Sequence, residues 1–255
     1  ISKEFKHAVT SYKVSQWLLA FSYLMLIGIF VGWFRKYSNK KRDQLSELIN
    51  QEHNCFINVD IEMDCEIAEA YELLTDSFQL LLKTHKIWDV TTVTKVDRQV
   101  SRSAASESIT RKEVQFGFSN LPLIKSQYKA MHLQNANGGD LYLYPGFLLV
   151  LSKEGEMGFI EMKDLKIDFY GQRFIEEETI AEDAKVIDNT WAKVNKNGSP
   201  DRRFAGNYQI PICLYGELAL TSKTGLHEVY SFSNHDVSTL FGEALAHYKQ
   251  ATAGA

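Results

Sequence analysis

The N-terminal part of the chain contains one long uncharged segment. Residues 14–33 (VSQWLLAFSYLMLIGIFVGW) hold no charged side chain, and Trp17 and Trp33 lie near the two ends. About 20 helical residues cross the roughly 30 Å hydrocarbon layer of a membrane, and tryptophan rings favour the interfaces of that layer. A cleaved leader would need a small-residue cleavage site, which this segment lacks. The pattern therefore predicts one transmembrane helix over 14–33, after an N-terminal flank over 1–13.

Basic residues flank this segment unequally. Three lysines precede it, and five basic residues follow it: Arg35, Lys36, Lys40, Lys41 and Arg42. Positive side chains are retained on the cytoplasmic side, so we expect a single-pass protein of a bacterial inner membrane with a cytoplasmic C-terminal part. The same five residues are predicted to contact anionic lipid headgroups. The three cysteines form no even set for a disulfide framework, which agrees with a reducing compartment.

Two glycines of the uncharged segment, Gly28 and Gly32, are four residues apart. This spacing lets two membrane helices approach closely, so the pair is a candidate helix-pairing site. Glycine is also common in membrane helices that have no partner. We favour this second interpretation and keep pairing as the alternative.

Helical patterns continue after the uncharged segment. The polar stretch over 34–63 predicts a basic juxtamembrane region and a helical stalk. Apolar residues then recur with helical spacing from Ile67 to Leu82, behind Asp64, which is a suitable N-cap. A last amphipathic helix is predicted over about 236–249. Both helices are expected to pack through their apolar faces.

Between these helices the chain has the pattern of strands and turns. All four prolines and twelve of the fifteen glycines follow residue 120, and short segments of alternating hydrophobicity between turn residues predict antiparallel strands. They cover 123–133, 140–144, 147–152, 157–162, 165–174, 185–194, 209–222 and 227–233. Residues 101–113 predict no element.

Many short strands closed by one helix resemble the plan of the pleckstrin-homology-like superfold, a likeness that implies fold and no function. The predicted class is therefore α+β. It comprises a single N-terminal transmembrane helix, a helical stalk, and an antiparallel β-rich, partly open barrel with a C-terminal helix. The barrel domain covers 64–250, and residues 251–255 form a tail.

One segment resembles an uncharacterised bacterial domain family. The shared pattern, TW…NKxGxPDRRF…YGxLxLxSxxGL, runs from Thr190 to Leu226, and weaker similarity covers roughly residues 65–235. The sequence departs from the family around residues 95–111, where the family commonly shows a second tryptophan and a basic run. The family has no assigned activity, so the resemblance implies domain identity and no mechanism.

The PDRRF part of that pattern offers one candidate binding site. Arg202 and Arg203 are adjacent, and Lys196 lies in the preceding Asn- and Gly-containing turn. Two guanidinium groups can bind a phosphate or carboxylate bidentately, and beneath a membrane a lipid phosphate would be the natural ligand. Alternatively, Asp201 pairs with one arginine and braces a long hairpin loop over Phe204. We favour the brace and keep anion binding as the alternative.

The sequence contains no common catalytic or metal-binding motif. GxSxG, P-loop, GxGxxG and HExxH patterns are absent. His53, Cys55 and Cys65 have a spacing that fits no familiar zinc site, and the run Glu176–Glu178 is typical of a solvated loop. A formal net charge of −4 disfavours nucleic-acid binding. We therefore expect no catalytic residue, no metal, no cofactor and no nucleic-acid partner.

Together these patterns predict a membrane-anchored cytoplasmic interaction or sensor subunit rather than an enzyme. It would act through protein or lipid contacts in a bacterial envelope or phage-defence complex. Its partners would be the lipid bilayer and another membrane or cytoplasmic protein, or further copies of itself. The alternative is a membrane-anchored hydrolase or nuclease-type effector without a recognisable motif. An enzyme should gather carboxylates or histidines in a concave pocket, whereas an interaction domain should present an apolar patch or basic loop.

Overall fold

The computed structural model describes residues 2–24, 36–47, 56–59, 61–95, 105 and 107–253. The chain divides into two compact units. The first contains Ile1–Val59 and Pro122–Ser126, and the second contains Asp60–Leu121 and Gln127–Ala255.

The first unit combines two helices with a small parallel sheet. Helix α1 spans Ser2–Leu24, and residues 36–47 form helix α2. The Gln16 side chain of α1 donates a hydrogen bond to Ser38 Oγ of α2, at 2.8 Å. Strand β1 (Ile57–Val59) pairs in parallel with β5 (Ile124–Ser126), so two segments distant in sequence close this unit.

The predicted transmembrane helix is wrong. Helix α1 begins at Ser2 instead of residue 14, and the lysines before the uncharged segment belong to it. Within the described residues, no helix is long and apolar enough to cross a membrane. Of the predicted span, residues 14–24 lie in α1, and residues 25–33 lie outside the described residues. The single-pass inner-membrane location is corrected accordingly.

The predicted helical stalk is also wrong, because the helix of residues 36–47 is followed by strand β1 at Ile57–Val59. Of the five basic residues, four lie in α2: Lys36, Lys40, Lys41 and Arg42. Their predicted lipid contact depended on the spanning helix. The fifth, Arg35, and the candidate pairing glycines Gly28 and Gly32 lie outside the described residues.

The second unit is α+β, with two antiparallel sheets. A five-stranded sheet has the order β4-β6-β7-β8-β9. Its strands are β4 (Phe116–Phe118), β6 (Met131–Leu133), β7 (Asp140–Tyr144), β8 (Phe147–Leu151) and β9 (Met157–Glu161). A 3-10 turn at Met162–Asp164 then leads the chain out of this sheet.

The other sheet has the order β10-β12-β13-β2-β3, with β11 also paired to β12. Its strands are β2 (Ile87–Lys95), β3 (Glu107–Glu113), β10 (Leu165–Ile175), β11 (Lys185–Trp191), β12 (Gln209–Ser222) and β13 (His227–Phe232). We refer to it as the six-stranded sheet. The strands after residue 123 are thus shared among separate sheets and do not form the single barrel that was predicted.

Two helices complete the core of the second unit. Helix α3 spans Cys65–Leu81, and helix α4 spans His235–Ala253. Asp64 Oδ1 accepts a hydrogen bond from Ile67 N at 2.9 Å, which confirms the predicted N-cap. Phe78 of α3 and Phe241 of α4 are fully buried, with ring centroids 5.5 Å apart. Both helices and both sheets contribute side chains to this core.

Two glycines allow α4 to lie directly on the six-stranded sheet. A Cβ atom at Gly216 of β12 would lie 2.0 Å from Ser238 Oγ, and one at Gly242 of α4 would lie 2.5 Å from the Phe169 ring. Neither position has space for a larger residue unless the helix moves. These contacts fix α4 against β10 and β12, which form one side of the site described next.

Candidate functional site

The six-stranded sheet curves until its two outermost strands face one cavity. Arg111 of β3 and Glu176, which directly follows β10, form an ion pair with an N–O distance of 2.6 Å. Beside this contact lies a cavity of about 690 Å³, which we call the edge cleft. Residues 107–111 and 172–178 supply most of its lining. This volume is within the range of typical ligand sites.

Consecutive residues of both strands line the edge cleft. Side chains alternate between the two faces of a strand, so a cavity on one face would be lined by every second residue. Here each residue from 107 to 111 and from 172 to 178 contributes. Among the described strands, none pairs with the outer edge of β3 or of β10. The backbone edges themselves therefore border the cleft, and no strand of the described residues bonds to either of them.

A buried polar cluster forms the inner end of the cleft. The side chains of Arg111 and Glu176 are only 8% and 1% exposed. The Arg111 guanidinium lies 4.0 Å from the ring centroid of Trp88 and 4.3 Å from that of Phe174. Tyr215 donates a hydrogen bond to Glu176 Oε2 at 2.7 Å. Burial, followed by the contact with Glu176, raises the pKa of Tyr215, so its hydroxyl remains a donor.

The backbone register explains why these residues meet. Arg111 pairs with Val90 across β3 and β2, while Phe174 pairs with Cys213 across β10 and β12. Alternation along β12 then places Tyr215 on the same face as Cys213. Burying a charged group among aromatic rings is costly unless an opposite charge pairs with it. Glu176 is the opposite charge that pairs with Arg111.

Further along the same face, Glu217 of β12 lies opposite Tyr170 of β10. Burial raises the pKa of Glu217, a hydrogen bond from Tyr170 opposes this shift, and the charge of Glu107 adds to it. The pKa of Tyr170 is raised to about 12, mainly by burial and by the contact with Glu217. Glu107 of β3 and Gln172 of β10 also line the same cavity, so the two edges face it at this end as well.

Among the described residues of its lining, the edge cleft has an excess of negative charge, with four carboxylates against two guanidinium groups. Glu176 neutralises Arg111, and the exposed Arg173 pairs with Asp188 at 3.1 Å. Glu178 is mostly exposed and lies 3.7 Å from Arg111, while Glu107 and Glu177 have no ion-pair partner among the described residues. A cationic group would therefore be attracted to the cleft.

The PDRRF loop contains the Asp201–arginine pair of the brace interpretation, whereas Phe204, expected beneath the loop, is 42% exposed. The Asp201 side chain is 2% exposed and accepts hydrogen bonds from Arg203 Nε at 2.9 Å and from Arg203 Nη2 at 2.7 Å. Arg202 and Lys196 are exposed and make no ion pair among the described residues. Arg202 and Arg203 border an open cavity of about 500 Å³, whose lining does not include Lys196. Anion binding by these three residues stays a prediction.

We expect Asp201→Ala to lower the free energy of unfolding by about 1–3 kcal/mol, because it removes a buried acceptor and leaves the loop's donors without a partner. Arg202→Ala, a neighbouring exposed residue, is the matched control and should change stability by no more than about 0.5 kcal/mol. Urea denaturation measures both variants. Equal stability of Asp201→Ala and wild type would show that the loop needs no brace.

Sequence reasoning missed the residues of the edge cleft. Residues 101–113 gave no pattern, although Glu107–Glu113 form a strand. Glu176 was expected in a solvated loop, yet it is buried. Within the described residues, no group of three or more His, Cys, Asp or Glu side chains could hold a metal ion. His53 and Cys55 lie outside those residues, and Cys65 is exposed at the start of α3.

Comparison with protein-family models, with curated proteins and with solved structures finds no match to this chain. The resemblance to the bacterial domain family of the PDRRF pattern therefore stays a prediction. The edge cleft has to be interpreted from its own geometry.

Proposed function

We propose that this protein is an interaction module that binds an extended segment of a partner protein by strand addition in the edge cleft. One observation carries the proposal: consecutive residues of β3 and β10 line the same cavity, so two backbone edges that have no partner among the described strands face it together. A segment inserted there would hydrogen-bond to both edges. Main-chain bonds of this kind supply affinity in strand-addition complexes, while side-chain pockets supply specificity.

The dimensions of the cleft agree with a short strand. The five residues 107–111 correspond to about 17 Å of extended chain at roughly 3.3 Å per residue. Side chains of the inserted segment would alternate between the inner face, which is closed by Arg111 and Glu176, and the outer face. This arrangement supports a recognition sequence of about five residues, with alternate positions specified by pockets.

The geometry offers less support for a hydrolytic site. Glu176, the most buried carboxylate of the cleft, already bonds through both oxygens: Oε2 accepts from Arg111 and Tyr215, and Oε1 accepts from Glu178 N at 3.1 Å. A general base needs an oxygen within reach of the substrate proton. The contacts of Glu176 instead hold its side chain in place, as expected for a residue that lines a binding site.

The test uses three fluorescent heptapeptides that share valines at alternate positions and carry neutral, basic or acidic residues between them. Each has a matched control in which alternate backbone amides are N-methylated, so that the side chains remain while the donors are lost. We expect at least one parent peptide to bind with a dissociation constant well below 1 mM, and its methylated control to bind about tenfold or more weakly.

Amide hydrogen exchange locates the bound peptide. Binding should slow exchange in β3 and β10 and leave β9, an edge strand of the other sheet, unchanged. Equal binding of parent and methylated peptides would contradict strand addition. Full protection of β3 and β10 without peptide would also contradict it, since the edges would then be occupied in the free protein.

A further inference from the structure

The orientation and the charge of the bound segment follow from the topology of the six-stranded sheet. Building on the proposed strand addition, we infer that the segment runs antiparallel to both β3 and β10. We further infer that it carries lysine or arginine in its amino-terminal half, next to Glu177 and Glu178. The first part rests on strand direction and the second on the distribution of charge along the cleft.

The two edges of the cleft run in the same direction. Each neighbouring pair along the order β10-β12-β13-β2-β3 is antiparallel. Four successive reversals return β3 to the direction of β10. One contact agrees with this: Arg111 near the end of β3 meets Glu176 just after β10.

A single inserted strand can therefore be antiparallel to both neighbours at once. Antiparallel pairing is slightly more stable per residue than parallel pairing, and here one orientation provides it on both sides. In that orientation the segment starts where β3 and β10 end. Its amino end lies near residues 176–178, and its carboxyl end lies near Glu107.

Two exposed carboxylates of the described lining lie at the amino end of this path, and one of them, Glu178, is also 3.7 Å from Arg111. Glu177 and Glu178 are exposed and adjacent, whereas Glu107 is alone at the other end. The guanidinium groups of the lining are already paired with Glu176 and Asp188. Basic side chains in the amino-terminal half would therefore meet two carboxylates, and acidic ones would be repelled.

Two heptapeptides of identical composition test the charge. One has two lysines at its amino end, and the other has the same lysines at its carboxyl end. We expect the first to bind about fivefold or more tightly at low salt, with the preference shrinking as salt is added. The double variant Glu177→Lys/Glu178→Lys should abolish this preference. The matched control Glu154→Lys/Glu156→Lys, in the exposed turn between β8 and β9, should retain it.

A nitroxide label at either end of the bound peptide tests the direction by NMR. A label at the amino end should broaden the amide signals of residues 176–178, and one at the carboxyl end should broaden those near Glu107. The opposite pattern would overturn the inferred direction while leaving strand addition intact. Equal affinity of the two lysine peptides would overturn the charge assignment. Failure of every peptide to bind would instead refute the proposed function itself.

Discussion

Replacing Glu176 by Leu is expected to lower the free energy of unfolding by about 3–5 kcal/mol. The change leaves the Arg111 guanidinium buried between the rings of Trp88 and Phe174 without a counter-charge, and it removes the acceptor of the Tyr215 hydroxyl. Desolvation of an unpaired charge is much costlier than loss of the same pair at the surface. Urea denaturation, monitored by circular dichroism, measures the difference in free energy of unfolding between the variant and the wild type.

A double-mutant cycle separates the charge from the packing. Arg111→Met with Glu176→Leu should recover most of the loss, because hydrophobic residues of similar volume often replace a buried ion pair at little cost. The exposed pair Arg173–Asp188 provides the control, and Arg173→Ala should cost no more than about 1 kcal/mol. If the double variant is as unstable as Glu176→Leu alone, then the shape of the side chains, and not their charge, determines how much this cluster stabilises the fold.

Phe78→Ala is expected to lower the free energy of unfolding by about 3–5 kcal/mol. The ring of Phe78 is fully buried and lies 5.1 Å from that of Phe118 and 5.5 Å from that of Phe241. It therefore connects α3 with β4 and α4, and its removal leaves a cavity that these elements can fill only by moving.

Leu73 provides the matched control for Phe78, since it lies in the same helix but is largely exposed. Leu73→Ala should change stability by no more than about 0.5 kcal/mol. Thermal and urea unfolding, measured under the same conditions for both variants, compare their free energies of unfolding. Similar losses for the two substitutions would show that the burial of Phe78 does not determine the effect, since alanine is the best helix former and propensity cannot cause a loss.

The elements that could be predicted from the sequence are those specified by local patterns. The Asp64 cap and the helical spacing behind it indicate α3, and turn residues separate β7 from β8 at Pro145-Gly146. The segment over 123–133, in contrast, was predicted as one strand. It forms β5 and β6, which belong to different sheets, and only their partners elsewhere in the chain determine this division.

The transmembrane prediction failed because residues 14–33 were judged apart from those before them. The described part of that segment, residues 14–24, shares helix α1 with Lys3, Lys6 and Lys13, so the apolar length of the segment alone does not describe this helix. The edge cleft could not be predicted for another reason. Arg111 and Glu176 are 65 residues apart, and their contact depends on the pairing of five strands. A polar strand with one buried arginine has no local signature.

Two open strand edges also bear on how copies of this protein behave at high concentration. An unpaired edge is a template for uncontrolled pairing with an identical edge, and natural sheets discourage this with charged residues. Glu107, Glu177 and Glu178 give each copy the same charge at the cleft, so two copies repel each other there. Concentrated salt, which screens that repulsion, would remove the protection and favour self-association through β3 and β10. We therefore expect these carboxylates to oppose self-association of the protein through the cleft at low salt.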